Sequence, residues 1–145
     1  MINVQEFISH SPEETKKIAE EFSKTLKGGE IIAFTGNLGA GKTCFTSGLA
    51  KGLGFSGRVT SPTFAIMNEY VGGRLSVFHF DMYRISSWED LYSSGFFDYV
   101  ERGGVVVAEW SENIGGALNE NTISIDILNV DETTRKITVS QGEFK

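Results

Sequence analysis

Two spacings of apolar residues alternate along the chain. Apolar positions two apart mark strands, and positions three and four apart mark helices. Ile2 to Phe7 is a weak strand pattern. Ser11-Pro12-Glu13-Glu14 then starts a helix, with Ser11 as cap, Pro12 at the first helical position and Glu14 completing a capping box. Ile18, Ala19, Phe22 and Leu26 repeat at helical spacing, and Gly28-Gly29 ends the segment. Glu30 to Thr35 reads as a buried strand, and Thr43 to Leu53 as a helix with Phe45, Leu49 and Leu53 facing inward before Gly54. Phe64–Val71 and Arg74–Asp81 are strand-like runs on either side of Gly72-Gly73, a pattern that predicts a tight hairpin. Trp88–Tyr92 and Phe96–Val100 read as short helices broken at Gly95. Val105 to Ala108 is a four-residue apolar run, as expected of a central strand covered on both faces. Ile123, Ile125, Ile127, Ile137 and Val139 mark two half-buried strands joined by a turn over 129–134. With no repeat, low-complexity segment or linker, the 145 residues are expected to form one mixed α/β domain.

Between the second predicted strand and the helix after it lies Gly36-Asn37-Leu38-Gly39-Ala40-Gly41-Lys42-Thr43. This is the P-loop spacing, and its strand–loop–helix setting is the context the motif requires. The glycines let backbone N–H groups approach phosphate oxygens, and the helix adds its positive end. Lys42 is then expected at the β- and γ-phosphates and the Thr43 hydroxyl at Mg²⁺, with Asn37, Leu38 and Ala40 acting through their backbone. Such a site also needs a carboxylate at a strand end, and there are two: Asp81 after Val77–Phe80 and Glu109 after Val105–Ala108. One is expected to hold the metal and the other to orient water, in either order. Ser61 and Thr63, in Thr60-Ser61-Pro62-Thr63, are read either as a γ-phosphate-sensing loop or as a plain turn. Trp110 is placed either beside the nucleotide or in the core. Cys44, next after Thr43, is counted with the nucleotide-binding stretch though its thiol is read as a small packed group, and His79 is read as a satisfied structural histidine that shares a strand face with Asp81.

Charge narrows the partners. The net charge is −6 and five arginines are scattered along the chain, so no basic run supports independent nucleic-acid binding. No apolar stretch is long enough for a membrane span, and the first residues lack the pattern of a signal peptide. One cysteine agrees with a reducing compartment, so the expected location is the cytoplasm. The guanine-reading string Asn-Lys-x-Asp does not occur, which favours ATP.

The P-loop, Ser61-Pro62-Thr63-Phe64, Asn68-Glu69-Tyr70, His79-Phe80-Asp81-Met82-Tyr83-Arg84, Gly95-Phe96-Phe97-Asp98-Tyr99 and Glu109-Trp110 occur in an order and spacing that resembles the TsaE (YjeE) family of small bacterial ATPases. The resemblance implies a P-loop NTPase-like mixed sheet flanked by helices with an antiparallel hairpin insertion. It implies an accessory role in making threonylcarbamoyladenosine on tRNA, in which ATP hydrolysis resets a TsaD–TsaB pair. It further implies Lys42 at phosphate, Thr43 and Glu109 at Mg²⁺, and Asp81 as the Walker-B-like carboxylate. Trp110 is implied near the nucleotide, and Ser61 to Thr63 as a switch-like loop. Departures from the family pattern are Asn37, Cys44 and Ser111, where Asp, Thr and Pro are more usual; the last leaves the path after Trp110 open. A small-molecule kinase is the alternative, though no arginine-bearing lid is evident.

Overall fold

A computed structural model describes residues 3–35, 41–59, 67–118 and 122–141. The strands are β1 (Asn3–Ser9), β2 (Ile31–Thr35), β3 (Met67–Tyr70), β4 (Val77–Asp81), β5 (Val105–Glu109), β6 (Thr122–Asn129) and β7 (Arg135–Gln141). They form one sheet in the order β1-β7-β6-β2-β5-β4-β3. The inner neighbours β6, β2, β5 and β4 run parallel, while β1, β7 and β3 are added antiparallel at the two edges. The mixed α/β sheet expected from the pattern is therefore present, with its antiparallel β3–β4 pair.

Four helices connect these strands: α1 (Pro12–Ser23), α2 (Lys42–Gly52), α3 (Trp88–Ser93) and α4 (Phe96–Glu101). Ser11 caps α1 by accepting the Glu14 N–H at 3.1 Å, and Gly95 stands between α3 and α4 at a φ of 83°. One apolar layer joins α1 and α2 to the sheet through Ala19, Leu26, Phe45, Leu49, Ile32, Phe34, Val77, Val107 and Ile125. Another covers the opposite face through Leu91, Phe96, Phe78, Phe80, Val106 and Ala108. Strands buried on both sides explain the unbroken apolar run of β5. Ile18 and Phe22 sit at the rim of the first layer, partly buried.

The hairpin turn differs from the expected tight one. Tyr70 pairs with Val77, so six residues rather than two join β3 to β4. Local turn chemistry is overridden by a tertiary contact. The Arg74 N–H donates to the Leu53 carbonyl beyond α2, and Gly73 lies so close to that backbone that a side chain would collide with it. Arg74 also reaches the carbonyls of Leu26 and Ser23, at 2.9 and 3.1 Å. The glycines thus dock the turn against the ends of α1 and α2 instead of closing a two-residue loop.

Candidate functional site

Parallel strands deliver their C-terminal ends to one edge of the sheet, and functional groups collect at such an edge. Here β2 ends at Thr35 and leads toward α2, while β4 and β5 end side by side at Asp81 and Glu109, which are register partners. Alternation puts Val77, His79 and Asp81 on the face covered by α1 and α2, together with Val105, Val107 and Glu109. Both predicted carboxylates therefore project from the α2 side of the sheet.

Lys42 opens α2 and is 5% exposed. Gly41 before it adopts a φ of 98°, a left-handed value that lets the chain turn into the helix. The first turn of α2 contains no acidic residue, so its unsatisfied N–H groups keep their positive end. The Lys42 ammonium lies 5.8 Å from the centre of the Trp110 ring. Thr43 is partly exposed beside it, and the Thr46 hydroxyl donates to the Lys42 carbonyl at 2.9 Å, inside the helix.

Trp110 itself is half-buried. Its ring packs on Tyr83 at 4.9 Å between centroids, and its backbone has a φ of 59°. The path after it is held by Ser111, whose buried hydroxyl donates to the Phe34 carbonyl at 2.9 Å. A proline at this position has no such donor, so the departure from the family pattern at Ser111 has a structural use. The 3-10 segment Ser111–Ala117 follows, and its Asn113 amide donates to the Met82 and Tyr83 carbonyls. The loops after β4 and β5 are thereby tied together.

His79 is buried with both ring nitrogens partnered, the satisfied histidine that was expected. It shares a strand face with Asp81, yet Nε2 lies 2.6 Å from Glu109 Oε2. Its Nδ1 lies 3.2 Å from the Tyr70 hydroxyl. Asp81 accepts instead from the Tyr83 N–H, at 2.9 Å. Tyr70 was not among the predicted site residues. The available signal was the string Asn68-Glu69-Tyr70, and its place opposite Val77 puts it on the face of His79.

Cys44 is half-buried, with its thiol donating to the Pro12 carbonyl at 3.2 Å. Burial pushes its pKa up, helped by Glu13 and opposed by Lys16. It borders a hollow of about 400 Å³ lined by His10, Pro12, Gly41, Thr133 and Arg135 among others. These residues come from β1–α1, α2 and the β6–β7 turn, so no contiguous motif announced them. A smaller hollow of about 260 Å³ near Trp88 and Ile114, on the α3 side, is lined by no titratable group among the described residues. Gly36, Asn37, Leu38, Gly39 and Ala40, as well as Ser61 and Thr63, lie outside the described residues.

Lys42 and Thr43 thus open α2 with the Lys42 ammonium near the Trp110 ring, while Asp81 and Glu109 end paired strands, Glu109 directly before Trp110. Residues 9–137 match the family described as Threonylcarbamoyl adenosine biosynthesis protein TsaE. The chain belongs to the TsaE family. It is 38% identical over 133 residues to the tRNA threonylcarbamoyladenosine biosynthesis protein TsaE of Treponema pallidum, covering 92% of this chain and 98% of that one. It is 41% identical over 129 residues to the protein of the same name from Bacillus subtilis, covering 88% and 80%. The fold is similar to the crystal structure of Bacillus subtilis YdiB, with a TM-score of 0.80 and 34% identity, over 98% of this chain and 88% of that one. The family expected from the strings at 36–110 is thereby shown. Among the described residues, no helix is long and apolar enough to cross a membrane.

Proposed function

We propose that this TsaE-family chain binds and hydrolyses ATP with Mg²⁺, as an accessory protein in threonylcarbamoyladenosine modification of tRNA. The carrying observation is that buried Lys42, at the N-terminus of α2, lies on the sheet edge where Asp81 and Glu109 end paired strands. An ammonium and a helix N-terminus suit a polyphosphate. Two carboxylates and a hydroxyl are the hard oxygen donors that suit Mg²⁺. Thr43, Asp81 and Glu109 would hold that ion, which neutralises phosphate charge when bound. Lys42 binds the β- and γ-phosphates, and a carboxylate of the pair orients water toward the γ-phosphate. The hollow bordered by Gly41, Cys44 and Arg135 receives the nucleoside. Trp110 packs beside the Lys42 head and limits water there.

The pathway comes from the names of the family and of its relatives. Within it, the TsaD–TsaB pair is the proposed partner, and the acidic net charge suits a protein partner better than bare tRNA. The deciding experiment combines two variants with a reconstitution. Lys42→Ala is expected to abolish ATP binding in a filter or calorimetric assay. Glu109→Ala is expected to retain binding and lose hydrolysis. Unchanged turnover in either would remove the site assignment. Multiple-turnover tRNA modification by TsaB and TsaD is expected to require this chain. Independence from it would overturn the pathway role, and phosphate appearing on a metabolite would favour a kinase.

A further inference from the structure

Three polar side chains form a row through an otherwise apolar layer. They are Tyr70 on the edge strand β3, His79 on β4 and Glu109 at the end of β5. Tyr70 and His79 are 4% and 0% exposed, and the Glu109 side chain is 13% exposed. Their neighbours on this face are Val77, Val107 and Phe55, so a leucine in place of His79 would suit the packing better. A buried imidazole costs free energy unless both nitrogens are satisfied, and both are.

The direction of the row follows from chemistry. An ionised carboxylate only accepts, so His79 Nε2 carries the hydrogen at the 2.6 Å contact. In the neutral ring that leaves Nδ1 as the acceptor for the Tyr70 hydroxyl, 3.2 Å away. Glu109 therefore sets the tautomer of His79, the Tyr70 hydroxyl holds the ring from behind through Nδ1, and His79 fixes one oxygen of Glu109. The Tyr70 ring is itself clamped, 5.2 Å from that of Phe55. Among the described residues no corresponding buried chain stands behind Asp81, which accepts from the Tyr83 N–H in the loop.

We infer that Tyr70 and His79 are positioning residues that hold Glu109 in its working orientation for hydrolysis of a nucleoside triphosphate. They touch neither nucleotide nor metal and act through the carboxylate alone. The inference rests on the proposed ATPase reading, and the test separates the two. Turnover of Mg·ATP by the full chain is measured for Tyr70→Phe, His79→Gln, His79→Leu and Glu109→Ala. His79→Leu should lower kcat by about 10–100-fold, the range for loss of a residue that orients a site ligand, while the KM for ATP changes less than about twofold. His79→Gln keeps an N–H donor for Oε2 and should recover most of the rate. Tyr70→Phe retains the ring and loses only the hydroxyl, with an expected drop of about 3–10-fold.

Wild-type kcat in both His79→Leu and Tyr70→Phe, beside an inactive Glu109→Ala, would overturn the positioning role and leave the ATPase reading standing. Wild-type kcat in Glu109→Ala would overturn both. Should His79→Leu fail to fold, Tyr70→Phe decides the kinetics. A readout independent of turnover is the ¹H–¹⁵N spectrum of the His79 ring. The hydrogen is expected on Nε2 in the native chain and in Tyr70→Phe, with the Nδ1 resonance shifted in the variant because its hydrogen-bond donor is gone. A ring protonated on Nδ1 alone in the native chain would overturn the inference.

Discussion

Among the described residues, Trp110 is the one non-glycine with a positive φ, at φ 59° and ψ 40°. For a residue with a Cβ this left-handed conformation costs about 1–2 kcal/mol. Here it turns the chain sharply at the end of β5. The ring is thereby placed against Tyr83 and Lys42, and Ser111 is fastened to the β2 carbonyl. Replacing Trp110 by Ala and, separately, by Gly isolates the backbone term, because both lose the ring. Loss of this half-buried ring should cost about 2–3 kcal/mol in either variant. Glycine then relieves the strain, about 1–2 kcal/mol, but its freer unfolded chain takes back about 0.4–1 kcal/mol. The glycine variant is therefore expected to be the more stable by about 0.5–1 kcal/mol, the reverse of the usual order of these two residues. With a slope of about 1.5 kcal/mol per molar urea, that separates the midpoints by about 0.3–0.7 M, measurable by circular dichroism. Both variants should bind ATP more weakly to the same degree, since both lack the ring over Lys42. An alanine midpoint equal to or above that of glycine would refute the argument that packing at the site stores strain at residue 110.

Two further outcomes concern α2. A Cβ at Gly48 would lie 2.7 Å from Lys16 Cα and 2.9 Å from Ala19 Cβ, so Gly48→Ala must push α1 and α2 apart. Its helix-propensity gain of about 1 kcal/mol is outweighed by overpacking of about 1–3 kcal/mol, and Tm should fall by about 3–5 °C. A rise in Tm would show that the helices separate freely. Burial holds the Cys44 thiol above its ordinary pKa, so iodoacetamide should label the native chain several-fold more slowly at pH 8 than the urea-unfolded chain. The linked stability is present below the ordinary thiol pKa and is lost as pH rises through the raised value, so alkaline and not acidic conditions should weaken this part of the fold. Equal labelling rates would contradict the burial.

Much of this architecture was legible because period and punctuation agreed. Ser11-Pro12 began α1, Gly95 separated α3 from α4, and the isoleucines of β6 and β7 alternated as half-buried strands do. The residues at the sheet edge were legible for a related reason. Lys42, Asp81 and Glu109 each stand where an apolar strand or a glycine loop stops, and such stops are local features of sequence. What escaped depends on contacts remote along the chain. The β3–β4 turn follows its docking on Leu53 and not its glycine pair. The hollow near Cys44 is assembled from segments more than a hundred residues apart. Tyr70 stood in the string Asn68-Glu69-Tyr70, but its role exists only once β3 lies beside β4.

The two strand-end carboxylates, equivalent in sequence, become different through geometry. His79 and Asp81 lie on one strand two positions apart, about 6.6 Å along it, with side chains projecting in parallel. A short aspartate in that position points away from the ring below it. Glu109 starts on the neighbouring strand, where the spacing is about 4.8 Å, and sits diagonally ahead of the imidazole. Its additional methylene lets the carboxylate fold back across the strands to Nε2. The histidine thus serves the carboxylate with the reach to return to it. Asp81 is left at the head of the loop, accepting from Tyr83. A glutamate anchored from behind by a buried chain suits orientation of a reacting group, whereas an aspartate on a loop can adjust to an ion. Exchanging the two residue types would break this division, since Asp at 109 cannot span the diagonal to His79.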